Sequence, residues 1–362
     1  MKHHPRVLVV GAGTAGLATA RALLLHGITA EVVDRSARAE PAGYGMFLPA
    51  NAGRCLRDLD LGAAVDKVAH PIARQRLLDH RGRLLADIDQ QGLWGDTGPS
   101  VAVRRADLQT VLSDALPDET VRYETEVTGI SGTTVRFADG SRGTYDVVVG
   151  ADGINSTVRR LAFPAARTVY LGQMSWRFLV TGRPELQDWT VRMANGRSFL
   201  TVALGNGDAY CYADVNRTDA SAGPGDWRDL FADFGGPVPD LLRTAGDAYR
   251  SPIRRVEMDS PVLPGLVLVG DAAHAASPNM AQGAALAMED ALVLGELLST
   301  ATAGDALRAF ELRRRERVRW VHERAARRDR TRKLPGLVRR PVLRAAGERI
   351  FQADYGPLRT RP

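Results

Sequence analysis

The apolar positions of this chain fall into three textures. The first is a short continuous apolar run followed by a glycine-rich turn and then helical spacing. It occurs over residues 6–35, RVLVVGAGTAGLATARALLLHGITAEVVDR, with a strand at Val7–Val10, an Ala/Leu-rich helix and a second apolar strand ending at Asp34. A related pattern occupies residues 145–161, YDVVVGADGINSTVRRL, where a buried strand ends at Gly150 and Asp152-Gly153 follow. It returns over residues 266–298, LVLVGDAAHAASPNMAQGAALAMEDALVLGELL. Here a strand from Leu266 to Val269 leads to a turn at Gly270-Asp271, a loop through Pro278, and a helix whose spacing begins near Gln282.

The second texture is alternation, the mark of half-buried strands. Residues 70–103 alternate around ARQRLLDHRGRLLADI, with DHRGR as the hairpin turn, and residues 121–149 predict a further small strand set. Between them VRRADLQTVLSDAL opens a helix, and upstream Asn51 is expected to cap another. From about 166 to 255 short strands dominate. Alternation places Trp176 and Phe178 on one face and Arg177 on the other; it likewise groups Tyr210 with Tyr212, opposite Cys211. PGDWRDLFADFGGPVPDLLRTA predicts one or two helices, after which SPIRRVEMD is expected to return the chain to its first domain. The third texture is one long helix over 304–333, with an interrupted stripe of Leu307, Phe310, Leu312, Val318 and Val321, and a terminal cap over 334–362.

Composition narrows the class. With 44% hydrophobic and 25% charged residues over 362 positions, the chain resembles a soluble globular protein of more than one domain. No apolar run reaches the ~18 residues of a membrane span, and MKHHPRVLVV is not a secretory signal. The two cysteines, Cys55 and Cys211, offer neither metal spacing nor a disulfide framework, so a cytoplasmic location is expected. The pI of about 9.6 raises the question of nucleic acid. Residues 304–340, however, carry 14 Lys or Arg against five Asp or Glu, and the rest of the chain is net negative. One helix and its tail explain the basicity. Without aromatic interleaving or a recognised motif, that helix predicts a solvated structural face, with no nucleic acid or membrane partner.

The turns carry the chemistry. Gly11, Gly13 and Gly16 form GxGxxG between strand and helix, with Asp34 at the end of the next strand. Such glycines permit a tight turn and the close approach of a pyrophosphate to the helix N-terminus, while the acid binds ribose hydroxyls. The motif alone does not separate NAD from FAD. At Gly270-Asp271 the glycine again allows close approach, and the carboxylate can accept from a hydroxyl-rich chain such as ribityl. The helix start at Gln282, Gly283 and Ala284 would favour the negative edge of a reduced flavin.

The stretch GDAAHAASPNMAQGAALAMED resembles the GD motif of the class A flavoprotein monooxygenases, the aromatic-hydroxylase family that includes para-hydroxybenzoate hydroxylase. Ala281 stands where that family usually has the first loop glycine, and Ala285 where it often has asparagine. YDVVVGADGINSTVRRL is similar to the family's DG motif, in which Asp152 is expected to orient Arg159 and the local backbone. GYGMFLPANAGRCLRDLDL resembles the segment beside the flavin, with Gly45 near the isoalloxazine. Arg105 matches an arginine that contacts the cofactor, its neighbour Arg104 being read as solvated, and Val127 falls where a residue lies against the adenine. Ala15, Arg35 and Pro278 complete the expected cofactor set, while His274 is read as a structural hydrogen-bonder. Arg177 matches an arginine of the sheet that roofs the substrate, and Arg177 with Tyr210 or Tyr212 is expected to face it.

The resemblance implies an α/β fold: a Rossmann-like FAD-binding domain (residues 1–70, 98–165 and 256–303), an inserted antiparallel substrate-binding sheet (71–97 and 166–255), and a long basic helix with a C-terminal cap (304–362). It also implies that NAD(P)H, bound transiently, reduces FAD and that O2 forms a C(4a)-hydroperoxyflavin. One oxygen atom then passes to an electron-rich aromatic or polycyclic small molecule. An FAD reductase or oxidase without oxygen insertion and a non-catalytic flavin-binding protein are the alternatives. The protein is expected as a monomer or homodimer.

Overall fold

The computed structural model describes residues 4–37, 44–220, 226–332 and 336–362. Its centre is a six-stranded sheet in the order Val262–Leu263, Leu266–Leu268, Val147–Gly150, Val7–Val10, Ala30–Val33, Val121–Arg122. All neighbours run parallel except the first pair. The central strands read as Val/Leu runs because both faces are covered, one by helices and the other largely by the meander of Val127, Val135 and Phe137. The strand Val7–Val10 lies between Ala30–Val33, which follows it in sequence, and Val147–Gly150, which comes much later. The order therefore reverses beside the first strand, where open α/β sheets bind ligands. The helices Thr14–Leu25 and Gly283–Thr300 pack together over one face, burying Leu17, Leu23, Met288 and Leu294.

The 121–149 strands are shared out. Val121–Arg122 and Val147–Gly150 join the central sheet, while Val127–Ser131, Thr134–Phe137 and Arg142–Thr144 form a separate meander. A third small sheet sets Ser100–Arg104 between Gly45–Leu48 and His70–Ile72.

The large sheet has seven strands, ordered Tyr249–Glu257, Arg167–Val180, Asp208–Asn216, Arg197–Gly205, Trp189–Met193, Arg74–Asp79, Leu84–Asp89. Two details differ from expectation. The pairing of Trp189–Met193 with Arg74–Asp79 is parallel, because the hairpin of residues 74–89 arrives from a distant part of the chain and docks on the sheet's free edge. SPIRRVEMD does not leave this sheet at once: Tyr249–Glu257 pairs antiparallel with Arg167–Val180 as its edge strand.

Alternation holds across the sheet's two faces. Trp176, Phe178 and Cys211 lie on one side in a core with Phe199, Phe231 and Phe234, where Trp176 and Trp227 stack with centroids 5.4 Å apart. That core is covered by a 3-10 turn at Trp227–Phe231 and a helix at Val238–Thr244. Tyr210 and Tyr212 lie on the opposite side with Phe47, Ile72 and Ala102, facing the central domain.

The long helix spans Ala303–Arg332 and is followed by Gly336–Tyr355. It is not simply a solvated basic face. Arg314 is 3% exposed and donates to Asp290 Oδ1 at 2.7 Å and Glu289 Oε2 at 3.0 Å. Arg317 reaches Glu289 Oε1 at 2.6 Å, Arg328 reaches Asp354, and Arg332 pairs with Asp214. These arginines hold the helix to the flavin-motif helix, the C-terminal helix and the large sheet. Their acidic partners lie far away in sequence, so a local charge count could not see them. Among the described residues no helix is long and apolar enough to cross a membrane.

Candidate active site

A cleft of about 390 Å³ opens at the carboxyl ends of the central strands. Gly11, Gly13, Ala15, Asp34, Arg35, Arg105, Val127, Asp152, Asp271, Gly283 and Ala284 line it. Residues from Gly11 to Ala284, far apart in sequence, are thereby brought to one surface.

The three dinucleotide glycines answer three different constraints. Gly11 has φ +109°, and a Cβ there would lie 2.6 Å from the Ala151 carbonyl oxygen. A Cβ on Gly16 would meet the Gly11 oxygen at 1.7 Å, so this glycine lets helix and turn touch. Around a Cβ on Gly13 there is nothing within 4 Å: its missing side chain leaves open cleft. The helix Thr14–Leu25 starts there without a side-chain cap, so its first N–H groups are free to bind a pyrophosphate. Asp34 braces the rim, accepting from Ala12 N at 2.7 Å and Ser36 N at 2.8 Å; a carboxylate retains lone pairs beyond these.

Asp152 does not pair with Arg159. Its Oδ2 accepts from the backbone of Thr157 (2.6 Å) and Val158 (3.1 Å), which holds the start of the helix Thr157–Ala162. Arg159 instead reaches behind the GD turn to the carbonyl of Ala272 at 2.8 Å and to Thr168. Asp152 Oδ1 is buried without a partner, and burial raises the carboxyl pKa. An orphaned acceptor beside an open cleft fits a hydroxyl-bearing ligand such as FAD.

At the GD turn Gly270 has φ +57°, and a Cβ there would lie 2.9 Å from the Ala15 Cβ. Its N–H donates to Asp290 Oδ2 at 2.9 Å, and His274 Nε2 sits 2.6 Å from the same oxygen. His274 is thus a hydrogen-bonder within the structure. Burial opposes the charge of Asp290, but His274, Arg314 and the Gly270 N–H outweigh it and bring its pKa down to about 2. Asp271 points into the open cleft.

Several predicted residues lie elsewhere. Gln282 is 2% exposed and its amide is exchanged with Asn51, at 2.8 and 3.2 Å, so only the backbone of the following Gly283 and Ala284 meets the cleft. Asn51 is therefore not a cap. The helix Ala50–Asp58 begins one residue earlier, and the Asn51 side chain turns inward to Gln282 and Glu289. Gly16 and Gly270 are packed behind the cleft surface, and Pro278 opens the 3-10 turn Pro278–Met280 outside it. Gly45 does not line the cleft either; a Cβ there would be 2.7 Å from Tyr210 Cβ, so it permits close approach of the large sheet. Met46 lines the cleft in its place, as alternation along that strand could have indicated. Ala285 is fully buried in the core. Arg104 is not solvated alone but pairs with Asp208.

Beside the cleft, the large sheet turns its tyrosine-bearing face toward the central domain. Arg177 lies over the Tyr212 ring, 5.2 Å from its centroid. Burial works against the Arg177 charge, yet the phenols of Tyr210, Tyr212 and Tyr44 more than offset it, and its pKa rises. Burial pushes the Tyr210 phenol up to about 12, and that of Tyr212 well above its usual value. Tyr44, which sequence reasoning missed although it sits next to Gly45, packs against the cluster that contains Tyr210 and Tyr212. Its hydroxyl accepts from Arg105 at 2.8 Å, and its ring stacks on Tyr249 at 5.5 Å.

Comparison with known proteins agrees with this geometry. The FAD binding domain family model matches residues 5–206 and 263–328. The chain is 30% identical over 333 residues to 2-heptyl-3-hydroxy-4(1H)-quinolone synthase of Pseudomonas aeruginosa, covering 88% of this chain and 87% of that one. It is 31% identical over 362 residues to the 3-amino-4-hydroxybenzoate 2-monooxygenase PtmB3 of Streptomyces platensis, covering 92% and 90%. The crystal structure of Klebsiella pneumoniae HpxO complexed with FAD and uric acid superposes with a TM-score of 0.88 at 27% identity, over 100% of this chain and 98% of that one. With the dinucleotide glycines and the DG and GD turns all around one cleft, this chain belongs to the class A FAD-dependent monooxygenases and is an enzyme of that class.

Proposed function

We propose that this enzyme inserts one oxygen atom into an electron-rich aromatic or polycyclic small molecule held between the FAD cleft and the tyrosine face of the large sheet. The observation that carries the reading is Tyr44, which touches Arg105 of the cofactor cleft while packing against the cluster that contains Tyr210 and Tyr212 of the sheet. A ring held there would sit next to the cofactor. The relatives' names point the same way: a quinolone, an aminohydroxybenzoate and uric acid are all planar and ring-bearing.

When bound, FAD supplies the redox and oxygen-transfer chemistry, with NAD(P)H as donor and O2 as co-substrate. The chain's own residues supply position and exclusion. The free N–H groups of Thr14 and Ala15 would hold the pyrophosphate, with Gly13 leaving room for it. Asp34 and Arg35 would meet the adenosine end and Val127 the adenine, while Asp152 and Asp271 would accept from hydroxyls. The N-terminus of Gly283–Thr300 would stabilise negative charge on the ring system. Arg177, Tyr210 and Tyr212 would fix the substrate, and the apolar residues Phe47, Leu200 and Leu204 would keep water from it. In this reading residues 1–70, 98–165 and 256–303 serve FAD, residues 71–97 and 166–255 serve the substrate, and 304–362 brace both. A cytoplasmic monomer or homodimer is the form proposed.

The test is to purify the protein, record its visible spectrum, and mix it in air with NADH or NADPH across a panel of aromatic compounds. The expected outcome is a yellow protein whose nicotinamide oxidation accelerates with one compound, yielding a product heavier by one oxygen atom. Stoichiometric hydrogen peroxide with every compound would mark an oxidase or reductase. A colourless protein that cannot be reconstituted with FAD would remove the reading altogether.

A further inference from the structure

Among the described residues four arginines are buried: Arg159, Arg192, Arg314 and Arg339. Three of them are held. Arg159 donates to the Ala272 carbonyl, Arg314 to Asp290 and Glu289, and Arg339 to the Ala194 carbonyl at 2.8 Å. Arg192 is the exception. It is 9% exposed, its Nε is inaccessible, and its guanidinium makes no hydrogen bond or ion pair with any described residue. Burial lowers its pKa, and no neighbouring charge acts against that. A cation withdrawn from water without an acceptor is costly, so this side chain calls for an acceptor from outside the chain.

Its place in the fold says what kind. Arg192 projects from the strand Trp189–Met193 on the face opposite the tyrosines, beside Phe199, its partner in register. The segment after the 3-10 turn Trp227–Phe231 crosses over it. Gly236 has φ +68°, and a Cβ there would lie 2.8 Å from Arg192 Nη2 and 3.2 Å from Nε, so the backbone passes directly against the guanidinium. His80 ties the same segment down. Its N–H donates to the Met193 carbonyl at 3.0 Å, its carbonyl accepts from Gly235 N at 2.8 Å, and its ring meets Phe234 edge-on at 6.1 Å. The His80 Nδ1 is buried and has no partner either. The acid of this segment, Asp233, is occupied: both its oxygens accept from Arg197 at 3.0 Å. A guanidinium can only donate, and an imidazole nitrogen donates when it carries the proton. Both are left idle against the consecutive residues Phe234, Gly235 and Gly236. Because so little of Arg192 is exposed, the way in is narrow, which suits a small anion whose oxygens match the guanidinium fork.

We propose that Arg192 and His80 form a second anion site, on the outer face of the large sheet, that takes a small oxyanion: inorganic phosphate or the carboxylate of a short organic acid. Occupied, it ties the strand Trp189–Met193 to the segment that covers the aromatic core. It lies on the other side of the sheet from the flavin cleft and is independent of the reaction there.

The test reads binding and stability, so it does not depend on turnover. The thermal unfolding midpoint of the FAD-loaded enzyme is followed at constant ionic strength while a bulky sulfonate buffer anion is replaced by phosphate, or separately by acetate. The expected result is a saturable rise with at least one of them; at ten times its dissociation constant the anion should shift the folded-to-unfolded ratio about elevenfold. Arg192→Gln should remove the rise and, in the sulfonate buffer alone, should be no less stable than the parent, because the charge it deletes has no partner. Arg192→Lys keeps a charge without the fork and should retain a weakened rise, which also covers a glutamine variant that fails to fold. Crystals soaked in selenate should show an anomalous peak against Arg192 and His80 that is absent from the variant. No rise with either anion, or an equal rise in the parent and both variants, overturns the proposal. So does a selenate peak on Arg192 with no effect in solution, which would mark an adventitious ion only.

Discussion

At the scale of single residues, Ala281 shows how local geometry and family pattern meet. It adopts φ +49° and ψ +32°, the left-handed region, at the end of the 3-10 turn Pro278–Met280. An L-residue pays about 1–2 kcal/mol there and glycine almost nothing. The alanine is held by its surroundings. Its N–H donates to the Pro278 carbonyl, while Arg328 and Tyr355 grip the carbonyls of Asn279 and Met280. Its methyl packs against the cluster that contains Tyr210 and Tyr212. Ala281→Gly should therefore raise stability by about 0.5–1 kcal/mol, the relief of strain exceeding the added freedom of the unfolded chain. Chemical denaturation of the two holoenzymes checks this, and a lower midpoint for the glycine variant would mean that the methyl contacts outweigh the strain.

At the scale of elements, the helix Gly283–Thr300 is fixed from below by charge. Glu289 and Asp290 are both essentially inaccessible and share Arg314; Asp290 also holds His274 and the Gly270 N–H. The folded pKa of Asp290, about 2, lies below the usual 3.8. Its contribution to stability is thus complete above the unfolded value near 4 and is lost as pH falls through 2. The size is about 2 kcal/mol. Asp290→Asn should flatten the acid limb of the stability–pH curve over that window, and at neutral pH it should cost about 3–5 kcal/mol by leaving Arg314 short of a partner. Urea unfolding from neutral to acid pH measures both. The element also shows what its own sequence conceals. GDAAHAASPNMAQGAALAMED announces a turn, a loop and a helix, but Gln282 reads there as a cofactor ligand when its amide belongs to Asn51, 231 residues away.

At the scale of the whole molecule, the C-terminal segment closes a circuit through the cofactor domain. The carbonyls of Leu358 and Thr360 accept from Arg317, which also holds Glu289; the Thr360 carbonyl accepts from Arg54 as well. Removing residues 356–362 should leave these buried or half-buried donors short of acceptors. We expect the holoenzyme to lose about 2–3 kcal/mol and to release FAD more readily. Differential scanning calorimetry and the free-flavin fluorescence of the filtrate report the two effects. Unchanged melting and flavin retention would show the tail to be a passive cap.

The chain's linear order determined what depends on neighbours in sequence. Strand runs, glycine turns and alternation name the dinucleotide turn, the DG and GD stretches, the two faces of the large sheet and the long helix. Each of those signals is a local constraint on backbone angle or on which side of a strand a residue faces. Tertiary structure decided what depends on distant partners: that Arg314, Arg317 and Arg332 point inward, that Asp152 and Arg159 part company, and that Gly45 yields to Tyr210 rather than to a cofactor. It also decided that Tyr44 stands between Arg105 and Tyr249. A charge or a hydrogen bond takes its meaning from the group across the gap, and that group is set by packing, which no local pattern records.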